Sequence, residues 1–459
     1  MNGPVVRLFG LVIVLFAVLV AFTSRWTVFE AEALRDNPNN RRVLFEEQRI
    51  KRGIIRAADG SVLAANRALS QERYERRYPT GELFSHPVGF TSLDRGRTGL
   101  EEHYNDPLTG RRSDAIGALE RLLGPQKVGD DLNTTLVPRA QEVAYQQLGG
   151  RPGAVVALDV RTGAVRVMAA TPTYDPGDPA GAETFNRATQ GRFPPGSTMK
   201  TVTATAALDT GRYQPDSRVS GENGKVISGT PLDNFGGEDF GEIDLTTALT
   251  NSVNTVWAEV AEKLGKGTMA EYMEKFGFYE DPPLDYPDRQ MVPSGEYGRG
   301  GRVLSPTSGQ IDVGRMAIGQ DKLLVTPLQM ATVAQTIGNG GMRMEPRLVE
   351  KILDPDGRTI DEPLPEEAER VMSEDTAAKL TAMMRNVVEQ GTGQAAQLEG
   401  VEVAGKTGTA EVGDGTDDLW FIGFTEKIAV ATVLERQTGG SGGGNAAPIA
   451  AQVLKALGE

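Results

Sequence analysis

The sequence predicts an α/β protein of the α+β kind, in which an antiparallel sheet is flanked by helices. A small α+β pedestal precedes it, and one apolar helix stands at the N-terminus. Three observations carry this. Leu8 to Phe22 runs without a charge. β-rich runs stand at both ends of a unit of about 300 residues, with helical patterns between them. The intervening 27–145 is short, rich in Gly and Pro, and mixed in its signals.

The apolar run extends through Val5, Val6 and Trp26 if Arg7 snorkels to the interface, long enough for a transmembrane helix. A core helix or a cleaved signal peptide are the other readings. The nearest small-x-small site, Ala31-Glu32-Ala33, lies beyond Arg25, so an uncleaved single-pass anchor over 1–26 is expected. Charge on either side is too thin to set its orientation.

Residues 27–51 are polar, broken by "DNPNN", and read as a stalk. "RGIIRAADGSVLA" (52–64) reads as two short strands around Asp59-Gly60. The stretches "RRYPTGELFSHPVGF" and "GRTGLEEHYNDPLTG" show no helical period and hold no catalytic cluster. Together 27–145 form the pedestal, and 146–459 the second domain. That domain opens with a hairpin, 153–170, around Arg161-Thr162-Gly163. "STMKTVTATAALDTG" is a buried helix of about four turns starting at Ser197 and stopped by Gly211. A helix is expected over 244–265 with Asp244 as N-cap, and two more over "TPLQMATVAQTIGNGG" and "SEDTAAKLTAMMRNVVEQGTG". "LWFIGFT" and "KIAVATVLE" form a second hairpin around Thr425-Glu426. A flexible loop, 438–445, and a last helix in "AAPIAAQVLKALG" complete the chain. One sheet joined by the two ends of this domain is the simplest arrangement.

Composition narrows the chemistry. A formal net charge of -14 opposes nucleic-acid binding, which needs clustered cations. With no cysteine there is no disulfide, thiolate nucleophile or cysteine-ligated metal. The two histidines, His86 and His103, both lie far before Ser197, so a Ser-His-Asp triad would have to recruit one from another region.

What remains is "FPPGSTMK", residues 193–200. Ser197 could cap the helix and Lys200 could be a solvated first-turn residue. With 16 serines and 13 lysines, one SxxK pair arises by chance in about every second chain of this make-up. Two further triplets also occur once each, and in order: Ser252-Val253-Asn254 (SxN) and Lys406-Thr407-Gly408 (KTG). Each alone has a bland reading, as a cap, a polar helix face or a turn. The ordered set is a signature of penicillin-recognising serine enzymes.

The chain here resembles the class B penicillin-binding proteins, the monofunctional D,D-transpeptidases, and among them the type called penicillin-binding protein A. "RGIIRAADGSVLA" and "RTGLEEHYNDPLTG" resemble pedestal motifs. "GAVVALDVRTGAVRVMAATPTYDP", "FNRATQGRFPPGSTMK", "VTPLQMA" and "GKTGTAEV" with "LWFIGF" resemble successive parts of the transpeptidase domain. Ala57-Ala58 stand where the family's first pedestal motif usually carries Asp-Arg. About 120 residues between anchor and second domain are too few for a glycosyltransferase domain.

The resemblance implies the penicillin-recognising transpeptidase fold and peptidoglycan cross-linking through a serine acyl-enzyme on D-Ala-D-Ala donors, with no cofactor or metal. Ser197 would be the nucleophile. Lys200, three residues on and on the same helix face, would be its base if burial and Lys406 depress its pKa. Ser252 would relay protons, and Asn254 would hold Lys200 and the substrate amide. Lys406, Thr407 and Thr409 would face the substrate carboxylate from an edge strand, with Gly408 leaving room for an extended peptide. The N–H groups of Ser197 and Thr409 would form the oxyanion hole, worth about 3–4 kcal/mol. Implied partners are stem peptides, β-lactams as covalent inhibitors, the plasma membrane with the catalytic domain outside, and a polytopic lipid-linked glycan polymerase. A β-lactamase or D,D-carboxypeptidase would share the motifs but pass the acyl group to water. A non-catalytic receptor or scaffold is the rival from another class.

Overall fold

A computed structural model describes residues 3–26, 30, 47–70, 73–111 and 128–458. The stalk read over 27–51 lies almost wholly outside them. The helix Gly3–Ser24 has a mean hydropathy of 2.9 and no buried residue. At 1.5 Å per residue its length matches a hydrocarbon core of about 30 Å.

The pedestal sheet has six strands, in the order Thr359–Asp361, Val349–Leu353, Asp131–Thr134, Ile55–Arg56, Val62–Ser70, Arg73–Arg77. The hairpin around Asp59-Gly60 is present, Ile55 pairing with Ala64. Two of the six strands come from beyond residue 345. Asp131–Thr134 pairs in parallel with Ile55–Arg56 and would have a bare edge on its other side. Val349 opposite Thr134 and Ile352 opposite Leu132 cover that edge. The sheet therefore ties the pedestal to the second domain. The stretch read as non-helical contains the short helices Ser85–Val88, Gly99–His103 and Asn105–Leu108. One turn each is too short to print a 3.6-residue period.

Glu101 binds the pedestal motifs together. It is fully buried, with Arg52 Nη2 2.8 Å and Arg76 Nε 2.5 Å from its two carboxylate oxygens. Burial alone would raise its pKa, but the two guanidinium groups outweigh that and hold it below the usual value.

The second sheet is antiparallel throughout, in the order Ala404–Glu411, Asp417–Phe424, Ile428–Gln437, Gly153–Asp159, Val165–Thr171. The first and last hairpins of the domain thus lie side by side, Ile428 opposite Asp159 and Leu434 opposite Gly153. Strand alternation sends side chains into two separate cores. Val156, Leu158, Trp420, Ile422 and Val433 join the large core around the central helices. Val155, Ala157, Phe421, Val430 and Leu434 pack with the helices Pro138–Leu148 and Ala447–Ala456 on the other face.

The central helix Lys200–Asp209 buries every residue from Lys200 to Leu208. Its threonines are accommodated by local bonds, such as Thr205 Oγ1 to Thr201 O at 2.9 Å, and Thr203 reaches Ala317 O.

Two expectations are corrected. The helix read over 244–265 begins with Asp244 capping Thr247 N, but it is two helices, Leu245–Thr250 and Asn254–Leu264. The break centres on Ser252, held at φ +59°. The segment 438–445 is not an open loop: Ser441 caps a short turn at Gly442–Ala446, and the Gly442 backbone seats on the Gly408–Trp420 pair so closely that a Cβ would overlap Gly408 O.

Gly319 has φ +79°, and its own missing Cβ would overlap the backbone of Gly196. Gly319→Ala should therefore cost roughly 2–5 kcal/mol through left-handed strain and overlap. Melting temperature should fall by several degrees; a wild-type value would show that the contact is dispensable.

Candidate active site

Ser197 does not cap a helix. It lies inside a 3-10 turn, Gly196–Met199, that leads into the central helix; the cap position is Pro195, with no side-chain capping bond. Ser197 is partly exposed, while Gly196, Thr198, Met199 and Lys200 are buried. The turn is clamped from four directions. Trp420 Nε1 donates to Pro194 O at 3.0 Å, and Gly196 N donates to Gly319 O at 3.0 Å. Phe193 and Val325 exchange backbone hydrogen bonds. Gly196 has φ +53°, and a Cβ there would come 2.9 Å from Thr409 O. This close approach sets the serine beside the KTG strand.

Ala404–Glu411 is the sheet's edge strand, as expected. A Cβ on Gly408 would meet Pro195 O at 2.8 Å and Thr198 Cγ2 at 3.0 Å. The glycine is thus demanded by the turn that carries Ser197.

Lys200, Ser252, Asn254 and Lys406 form one connected cluster. Lys200 Nζ donates to Ser252 O at 2.7 Å and Asn254 Oδ1 at 2.6 Å, and lies 3.1 Å from Ser252 Oγ. Lys406 Nζ donates to Ser252 Oγ at 2.9 Å and to Thr407 O at 2.9 Å. Asn254 Nδ2 donates to Asp233 O, which orients the amide with its oxygen toward Lys200. Ser197 Oγ is not among the hydrogen-bond partners of Lys200 Nζ; it stands one helical turn before Lys200.

Both lysines are completely buried, without a carboxylate in reach among the described residues. Burial, then the nearby Lys406, pushes Lys200 well below an ordinary lysine pKa. Burial brings Lys406 down to about 7. The hydrogen bonds fit either charge state, since an ammonium would donate to all three oxygens around it. Ser252 O and Asn254 Oδ1 accept only, so they use two N–H groups of Lys200. A neutral amine then has its lone pair left to accept a proton. Ser252 Oγ, receiving from Lys406, can donate its own hydrogen toward Lys200.

The strand alternation separates the KTG side chains. Lys406 turns to Ser252, while Thr407 Oγ1 lies 2.6 Å from Thr392 Oγ1, and Thr409 Oγ1 accepts from Gly442 N at 3.3 Å. His86 takes no part: it is buried against Tyr174 with Nε2 3.0 Å from Pro172 O, and burial lowers its pKa to about 4.

Sequence reading missed the supports: Gly319, Trp420, Thr392, and Asn234, whose Oδ1 accepts from Thr255 N at the start of the second helix. Trp420 lay in a quoted motif and Thr392 in "EQGTG". Neither carries a signal of its neighbour until the strands are paired.

Residues 153–455 match the family described as the penicillin binding protein transpeptidase domain, and 52–131 the penicillin binding protein A dimerisation domain. The peptidoglycan D,D-transpeptidase PbpA of Mycolicibacterium smegmatis is 33% identical, over 99% of both chains. Its namesake from Mycobacterium tuberculosis is 31% identical, again over 99% of both. Penicillin-binding protein A from M. tuberculosis, solved as a ceftriaxone acyl-enzyme complex, superposes with a TM-score of 0.79 at 30% identity, covering 89% of this chain and 99% of that one. With fold, motif order and site geometry all in agreement, the chain belongs to the penicillin-binding protein transpeptidase family.

Proposed function

We propose that this chain is a membrane-anchored peptidoglycan D,D-transpeptidase that forms a serine acyl-enzyme and binds penicillin covalently. The observation that supports it most is the meeting of two buried lysines at Ser252, one turn from a clamped, partly exposed serine.

In the first half-reaction Ser197 Oγ attacks the carbonyl of the donor's penultimate D-Ala, and its proton passes to the neutral amine of Lys200. The N–H groups of Ser197 and Thr409 receive the developing oxyanion. As the C–N bond breaks, Ser252 delivers a proton to the departing D-Ala nitrogen and is resupplied from the lysine pair. In the second half-reaction an amine of a neighbouring stem attacks the ester carbonyl, gives up a proton to the same relay, and frees Ser197. A β-lactam follows the first half only, because its leaving nitrogen stays tethered.

Lys406 and Thr407 hold the donor carboxylate, and Asn254 the donor amide. The apolar N-terminal helix anchors the chain in the plasma membrane with the catalytic domain outside, where the substrate lies. The pedestal is the natural contact for a lipid-linked glycan polymerase, which must deliver nascent strands to the same place. Transfer to water, as in a β-lactamase, has a weaker basis: such an enzyme needs neither anchor nor pedestal.

Intact mass after incubation with labelled benzylpenicillin should show one long-lived adduct, absent in Ser197→Ala at normal abundance. Rapid loss of the adduct would favour hydrolysis, and labelling of the alanine variant would remove Ser197 from the mechanism. Acylation should also depend on pH with a defined sign. Lys200 must be deprotonated, so the rate rises with pH through its lowered pKa and is flat well before the ordinary lysine range. Lys406→Met removes the like charge and should move that limb to higher pH; an unmoved limb would show that the two lysines are uncoupled.

A further inference from the structure

We infer that Thr392 is a positioning residue for the carboxylate-binding hydroxyl of Thr407, fixing the direction in which that hydroxyl donates; this rests on the role of Thr407 given above. The two Oγ1 atoms are 2.6 Å apart, and either can be the donor. Thr407 is nearly buried, at 6% exposure, whereas Thr392 is exposed at the rim of the edge strand. Thr392 follows the helix Glu374–Glu389 and is packed against the glycine loop, since a Cβ on Gly443 would overlap Thr392 O.

A threonine hydroxyl has one hydrogen. When a substrate carboxylate, which only accepts, meets Thr407 Oγ1, that hydrogen must point to the carboxylate. Thr407 then cannot donate to Thr392, so Thr392 must donate to Thr407. Carboxylate binding thus selects one of the two proton orders, Thr392 to Thr407 to carboxylate. Lys406 Nζ is 2.9 Å from Thr407 O, while its side chain turns to Ser252 on the other face of the strand. No bond is made or broken; the effect is alignment, strengthened because each donor in the chain polarises the next. A surface threonine serving only stability would affect every ligand equally and by little.

The test uses the full chain in detergent with two thioester donor analogues, one ending in a free carboxylate and the other in its methyl ester. Thr392→Val keeps the shape and removes the hydroxyl. Acylation efficiency (k2/Ks) for the acid should fall about tenfold, with the loss in Ks, while the ester changes by less than about twofold. Thr392→Ser should recover most of the loss, and melting temperature should stay put. An equal change for acid and ester, or no change for either, overturns the inference; if Ser197 is still acylated, the transpeptidase reading survives that result. Absence of acylation in the wild-type chain would instead sink the underlying reading.

Discussion

Two lysine amines buried within reach of one serine hydroxyl govern the rest of this molecule. Ammonium groups are almost never fully buried without a counter-charge, because the desolvation penalty is several kcal/mol per ion. Lys200 and Lys406 have no such partner among the described residues, and each is surrounded by neutral acceptors. The tension is relieved by losing a proton, which turns an inert cation into a base. The local backbone is shaped to permit this. Ser252 takes a left-handed conformation, breaking what would be a continuous helix, and so offers both its carbonyl and its hydroxyl to Lys200. Such conformations cost about 1–3 kcal/mol and persist where surroundings over-determine them.

A base is useful only if the nucleophile is held. The turn carrying Ser197 contacts Trp420, Gly319, Val325 and Thr409, from parts of the chain more than 100 residues away in sequence. These contacts are backbone-to-backbone or end on a carbonyl, so they fix position with little dependence on side-chain rotamers. They explain why Gly196, Gly319 and Gly408 are glycines: each carries close approach of one main chain to another. Preorganisation of this kind turns an encounter into a near-attack geometry.

Much of this could be read in the sequence, for reasons that differ by element. The edge-strand KTG, the central helix and the closing of one sheet by both domain ends were legible because hairpin and helix periods are local. The Asp244 cap was legible for the same reason, but the break at Ser252 was not: "LTNSVNTVW" has ordinary helical periodicity, and the partner of the broken turn is a lysine 52 residues away. The packing of the 438–445 loop was hidden because glycine-rich composition reads as freedom, whereas here missing side chains permit close approach to Gly408 and Trp420. The two strands near 349–361 that complete the pedestal sheet were missed because their pairing is non-local.

All of this turns on the charge of one amine, which ¹⁵N NMR observes at the atom itself. With ¹⁵Nζ-labelled lysine and the Lys200 resonance assigned by its loss in Lys200→Arg, the shift can be followed as pH rises. Lys200 should lose its proton well below the usual lysine value of about 10.4. A Lys200 resonance that remains that of an ammonium ion up to about pH 10 would contradict it.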